Sequence, residues 1–278
     1  MSDLDGTLLG ANSAISPTSV RLLNEAVAAG ALFTYATARS FTSSSRVTEG
    51  LHLSIPVVTC GGTITADPDD GAPRHVQLLD ESVARIISAE CGRTGAVEPV
   101  WFTFEDGRDW VRWRPDRMTA GVETFTAHRA GDRRLRPITV DDPLDHASVF
   151  YITIIAARPS LVTLREALAG PLRSTAHFLN EDPNTPGLDW LEVHNQDGTK
   201  AQAVQRLMSD LRAGRLVVFG DNHNDVPMFA VADQGFAVAN AVTELKAVAT
   251  AVIGRHDTDA VARHIAADHQ AHVEARAG

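Results

Sequence analysis

A chain of 278 residues with 44% hydrophobic content is long enough for one large domain or two of ordinary size, and it can bury a core without disulfide staples. Its 25 basic and 35 acidic residues leave a net charge of −10, and no run of Lys or Arg is long enough to track a phosphate backbone, which argues against nucleic acid as a partner. The two cysteines, Cys60 and Cys91, have no metal-ligand spacing, no apolar run approaches the ~18 residues of a membrane span, and no signal-peptide pattern opens the chain; a cytoplasmic protein without a membrane partner is expected.

Taken in chain order, the first third alternates strand and helix. Only Met1 and Ser2 precede Asp3, so the first strand reads as very short, and a strand this short predicts a loosely seated Asp3. Ser16 is a good N-cap and Pro17 suits the first helical position; Val20, Leu22, Leu23, Ala26 and Val27 then give an apolar face before Gly30, predicting a helix over 17–29. Residues 31–36 and 55–60 read as short buried parallel strands, completing βαβ grammar.

The pattern changes after a turn-rich stretch at 66–73. A helix is expected over 81–89, then an aromatic hairpin with arms at 100–104 and 109–113 and a turn at Glu105-Asp106-Gly107-Arg108. A strand over 149–156 and a helix over 161–168 follow, and a second turn-rich stretch at 181–187 closes the insert. Beyond it the first grammar returns, with a helix over 199–213, a buried strand over 216–219 running into Gly220 and Asp221, strands at 236–238 and 251–253, and a helix over 242–249. The expected fold is α/β: a Rossmann-like parallel-sheet core from residues 1–79 and 189–278, interrupted by an α+β unit over 80–188.

Ligands of open parallel sheets bind beyond the carboxyl ends of the strands. Asp3 and Asp5 follow the first strand, Thr37 the second, and Asp221 the strand after the helix that begins near Lys200, so all four can converge there. Acids that would otherwise repel one another become useful around Mg²⁺, a hard cation that takes carboxylate, carbonyl and phosphate oxygens. Singly, each motif is an ordinary turn, strand end or polar loop; in this order they describe one phosphoryl-transfer site. Asp197-Gly198-Thr199-Lys200 lacks the upstream glycine and the following hydroxyl of a nucleotide-binding loop, and the histidines show no zinc-ligand pair.

Ser2 to Leu9, Ala36-Thr37-Ala38-Arg39, Lys200, Gly220 to Asp225 and Val238-Ala239-Asn240-Ala241 together resemble the haloacid dehalogenase superfamily of phosphatases, in the Cof-type branch with a large α+β cap between Thr37 and Lys200. Cys60-Gly61-Gly62 and Ala38 depart from the usual Asn-Gly and Thr-Gly-Arg of such proteins. The resemblance implies catalytic roles for Asp3, Asp5, Thr37, Lys200, Asn224 and Asp225, with Asp3 as nucleophile and Asp5 as general acid and base. It implies substrate contacts at Thr37, Arg39, Gly62, Lys200 and Asn224, and Mg²⁺ held by Asp3, Asp221 and the backbone carbonyl of Asp5. It further implies a small phosphate ester as substrate, a sugar phosphate or phosphorylated cofactor, enclosed by the cap, in a monomer or homodimer.

Two rival readings carry different expectations. A phosphomutase would need a cationic cap surface, and the tight cluster Arg133, Arg134 and Arg136 is flanked by Asp132, Asp141 and Asp142, which favours hydrolysis. A non-catalytic binding protein of the same fold would have been favoured by loss of Asp3, Asp5 or Asp221, and all are present. The tryptophan hairpin is expected to form the insert's own core with one exposed face, the alternative being that Trp110 or Trp113 stacks on a sugar or a base.

Overall fold

The computed structural model describes residues 1–95, 97–181 and 186–277. The chain divides into two compact units, Met1–His75 with Lys200–Gly278, and Val76–Thr199.

In the first unit a sheet is built outward from a single central residue. Ser2 bridges in parallel to Tyr35 on one side and to Phe219 on the other, and Ala36 bridges to Val58. The Ser2 N–H donates to the Thr34 carbonyl at 3.1 Å, the Ala36 N–H to the Ser2 carbonyl at 2.9 Å, and the Asp3 N–H to the Phe219 carbonyl at 2.9 Å. The loose seating expected of Asp3 is not what the backbone shows: Ser2 just before it is paired on both flanks and Asp3 itself is bonded to Phe219, because pairing needs partner strands and not length alone. Beyond Phe219 the strand Val217–Gly220 pairs in parallel with Gln234–Ala237, which pairs with Ala251–Val252. On the other flank Val57–Thr59 turns back antiparallel into Ile64–Ala66, with Pro73–Val76 beside it.

Helices flank this sheet for reasons visible locally. Pro17–Ala28 starts as expected, the Ser16 hydroxyl accepting from the Ser19 N–H at 2.9 Å, and it buries Leu23 and Ala26. Lys200–Leu211 buries Ala203, Val204 and Leu207 on one side. Phe41–Val47 and Ala260–Ala277 are helices that the sequence pattern does not announce. The first is rich in Ser and Thr, which compete with the helical backbone for hydrogen bonds, and the second lacks an apolar stripe.

The second unit is a six-stranded sheet in the order Leu135–Pro137, Arg108–Trp113, Pro99–Glu105, Val149–Ala156, Asp189–Asn195, Thr175–Glu181. Asp106 and Gly107 both have positive φ, at 53° and 78°, as the expected two-residue hairpin turn requires. Glu81–Thr94 and Arg158–Ala167 cover one face, where Ile87, Leu161 and Leu164 pack with Trp101, Ile152, Ile154 and Leu191. Ala120–Ala127 lies on the other, setting Val122 and Phe125 against Val100, Val111 and Ile155. The unit spans 76–199 instead of 80–188, because Asp189–Asn195 pairs along its length with Val149–Ala156 and Thr175–Glu181. Of the turn-rich stretch expected at 181–187, residues 182–185 lie outside the described residues. Among the described residues no helix is long and apolar enough to cross a membrane.

Candidate active site

The chain after Asp3 makes one wide turn, Leu4–Leu8, closed by the Leu9 N–H donating to the Leu4 carbonyl at 2.9 Å. Gly6 holds φ at 71°, and a Cβ there would lie 2.3 Å from an Asp221 carboxylate oxygen, so only glycine admits the approach of the two acidic loops. Thr7 completes the contact, its hydroxyl donating to Asp221 Oδ1 at 3.0 Å.

From the other side of the central residue, Val217–Gly220 ends at the Asp221 loop. Here Asp225 is fully buried, with each carboxylate oxygen occupied: Oδ1 accepts from Lys200 Nζ at 2.8 Å, and Oδ2 accepts from the Asp221 N–H at 3.0 Å and the Asn222 N–H at 3.2 Å. A Cβ at Gly220 would meet that carboxylate at 2.7 Å, so the fold of this loop also rests on a missing side chain. Lys200, 2% exposed at the start of its helix, also donates to Asp3 Oδ1 at 2.5 Å. One ammonium thus joins two carboxylates from opposite ends of the sequence.

Asp3, Asp221 and Asp225 each present an oxygen within 4.8 Å of the others. Burial raises the pKa of Asp3 well above the ordinary aspartate value; Lys200 opposes the rise, while Asp225 and Asp221 add to it. Burial, then the charge of Asp225, pushes Asp221 up to about 6. Burial works against the charge on Lys200, but Asp225 and Asp3 outweigh it and hold its pKa above the ordinary lysine value. Acceptors outnumber donors here, and the Asn224 side-chain oxygen adds a further buried acceptor without a partner. A set of hard oxygen donors carrying excess negative charge suits a divalent cation such as Mg²⁺. With Asp225 engaged by N–H donors and Lys200, Asp3 and Asp221 are the carboxylates left to face it.

Asp5 stands apart from that carboxylate group. Its side chain is half exposed and takes a two-point ion pair from Arg39, Nε at 2.8 Å and Nη2 at 2.6 Å, while Arg39 Nη1 donates to the Ser43 hydroxyl at 3.2 Å. The hydrogen bond to Asp5 is the main cause that raises the Arg39 pKa. Of the two roles open to Arg39, a substrate contact or a pair with an acid, the geometry shows the acid pair.

Thr37 is fully buried one residue beyond the Ala36 bridge, its N–H donating to the Val58 carbonyl at 3.0 Å and its carbonyl accepting from the Gly61 N–H at 3.0 Å. The hydroxyl accepts from the Arg39 N–H at 3.1 Å, which leaves its own proton to donate. Gly62 lies in the loop after Val57–Thr59, its carbonyl accepting from Arg206 at 3.4 Å. His223 is exposed, as its place in a polar loop predicts.

A family model described as haloacid dehalogenase-like hydrolase matches residues 1–265. An HMP-PP phosphatase of Yersinia pseudotuberculosis serotype O:1b is 25% identical over 267 residues, covering 95% of this chain and 92% of that protein. An HMP-PP phosphatase of Yersinia enterocolitica is 24% identical over the same coverage. Among solved structures, TM0651 from Thermotoga maritima superimposes with a TM-score of 0.75 at 22% identity, covering 95% of this chain and 94% of that one. The subclass IIB sugar phosphatase BT4131 does so with a TM-score of 0.71 at 16% identity, covering 95% and 96%. These structures share the fold.

Proposed function

This chain belongs to the haloacid dehalogenase-like hydrolase family, and from that premise we propose that it is a Mg²⁺-dependent phosphatase of a small phosphorylated metabolite, working through an aspartyl-phosphate on Asp3. The observation that carries the reading is the buried Lys200 ammonium joined to both Asp3 and Asp225, beside Asp221.

Asp3, Asp221 and the Asp5 carbonyl would hold Mg²⁺, whose charge offsets repulsion between the carboxylates and the phosphate oxygens. An Asp3 oxygen attacks phosphorus, the bond from phosphorus to the leaving oxygen breaks, and Asp5 gives that oxygen its proton. Water then attacks the phosphoryl group as Asp5 takes its proton, and the bond to Asp3 breaks to release inorganic phosphate. Lys200 and the Thr37 hydroxyl bind the phosphoryl oxygens, preorganised donors that need no rearrangement as charge develops. Asp225 holds Lys200 in line, and the Asn224 carboxamide would be available to the substrate. Before Asp5 can donate a proton, it must leave or loosen its pair with Arg39.

Hydrolysis is favoured over transfer to a second sugar by the insert's basic cluster. Arg134 pairs with Asp132 and Asp109, and Arg136 with Asp142 and Glu105, so both are engaged within the unit. The names carried by similar proteins, HMP-PP phosphatase and sugar phosphatase, agree with a small phosphorylated metabolite as substrate. The test is release of inorganic phosphate from p-nitrophenyl phosphate with Mg²⁺, with EDTA, and by Asp3→Asn. Turnover abolished by EDTA and by the substitution is expected; equal turnover by Asp3→Asn would remove Asp3 as nucleophile. A panel of phosphorylated metabolites then ranks substrates by kcat/KM.

A further inference from the structure

We propose that Asn240 is a positioning residue for the loop that carries Asp3 and Asp5, acting through the Gly6 carbonyl; its kinetic part rests on the phosphatase reading. The wide turn Leu4–Leu8 contains two residues outside helical conformation, Asp5 with ψ 126° and Gly6 with φ 71°. The direction of the Gly6 carbonyl sets the rotation of the peptide between Gly6 and Thr7. Asn240 Nδ2 donates to that carbonyl at 2.8 Å, and Asn240 Oδ1 accepts from the His256 N–H at 3.1 Å. The carboxamide is held at both ends, and only one orientation satisfies both partners.

Neighbouring groups extend the grip to both acidic loops. His256 Nδ1 donates to the Leu9 carbonyl at 2.7 Å, fixing the far end of the turn. The Val242 N–H, two residues beyond Asn240, donates to the Asp221 carbonyl at 2.9 Å, and the Val238 N–H to the Gly220 carbonyl at 3.2 Å. Thr7, whose peptide Asn240 orients, donates to Asp221 Oδ1. One short segment thus sets the separation of the Asp3 loop and the Asp221 loop, with Asn240 as its side-chain contact to the former. Rotating the Gly6 peptide would draw the Thr7 hydroxyl off Asp221 and move Asp5 relative to Asp3, and misplacement by about 1 Å can cost about a hundredfold in rate.

Two substitutions separate this role from filling space. Asn240→Asp keeps the shape and the acceptor for the His256 N–H but turns an oxygen on the Gly6 carbonyl, whereas Asn240→Ala removes both bonds. Both should lower kcat on p-nitrophenyl phosphate at least about tenfold while KM changes less than about threefold, the signature of lost transition-state geometry. Both should also speed hydrogen exchange at the amides of residues 4–9 and leave the rest of the core unchanged. Exchange is read without substrate, so an inactive parent enzyme would count against the phosphatase reading while exchange still decides the role of Asn240. Parental kcat and exchange in Asn240→Asp would overturn the proposal, as would faster exchange spread through the whole core.

Discussion

Lys200 brings a single positive charge into a space shared with three carboxylates, and the imbalance is written in their titration. Asp221 has its pKa raised to about 6, so the folded state holds a proton that the unfolded chain releases near the ordinary value of 3.8. Stability from this group is present below 3.8 and lost as pH rises through about 6. At neutral pH the ionised acids therefore oppose folding, and neutralising one relieves the strain. Asp221→Asn should melt several degrees above the parent at pH 7.5 without divalent ions and show no activity. Added Mg²⁺ should raise the parent's melting temperature and barely move the variant's; a variant that melts lower than the parent would contradict this account. The convergence of Asp3, Lys200 and Asp221 was legible because each bears an ionisable group in a motif beyond a strand end, whereas the Asp5 side chain turns out to stand apart from them. Thr7, Asn240 and His256 were not read as site residues, since what they do is grip a carboxylate or a backbone carbonyl, and that requires knowing which loops meet. An ion pair of Arg39 with an acid was one of its open readings, but that the acid is Asp5, 34 positions away, was hidden by the same limit.

Among the elements, the strand Asp189–Asn195 shows how an interior position changes a titratable side chain. His194 is 1% exposed, stacked on Tyr151 at 5.3 Å between ring centroids, with Nδ1 donating to the Asn195 carbonyl at 3.0 Å. Burial lowers its pKa from 6.5 to about 4. Because the folded state refuses a proton that the unfolded chain accepts, stability falls as pH drops from 6.5 toward 4, by roughly 3 kcal/mol at most. Comparing urea midpoints at pH 7 and pH 4.5, His194→Phe should lose less stability on acidification than the parent; an equal loss would exclude His194 as the source. This strand was also where the sequence pattern misassigned an element to a unit. Val149–Ala156, seven of whose eight residues are buried, was legible as a long apolar run. Thr175–Glu181 and Asp189–Asn195 mix polar and apolar residues, and their place in the sheet is fixed by pairing with each other and with Val149–Ala156. The short strands read before Asp3 and over 31–36 pair only by single bridges at Ser2, Tyr35 and Ala36, so their existence was legible while their extent and partners were not.

At the scale of the molecule, the two units differ in how they are drawn from the chain. Val76–Thr199 is continuous and carries its own core from Leu79 to Val193. Produced alone, residues 76–199 should give a cooperative thermal transition and dispersed amide resonances, whereas residues 1–75 alone should not; a disordered insert fragment would show that its core depends on the other unit. The alternation of grammar along the sequence revealed the interruption of the first unit, and the turn-rich brackets approximated its edges, because composition shifts are local even when sheet pairing is not. The interruption has a temporal consequence. Ser2 emerges from the ribosome roughly three quarters of the chain length before Phe219, its partner on one flank, and Asp3 appears long before Lys200. During synthesis the nascent segment Met1–His75 presents an open strand edge while the insert can already complete its fold, so the reaction centre is assembled last and all at once, when the segment from Lys200 onward is delivered.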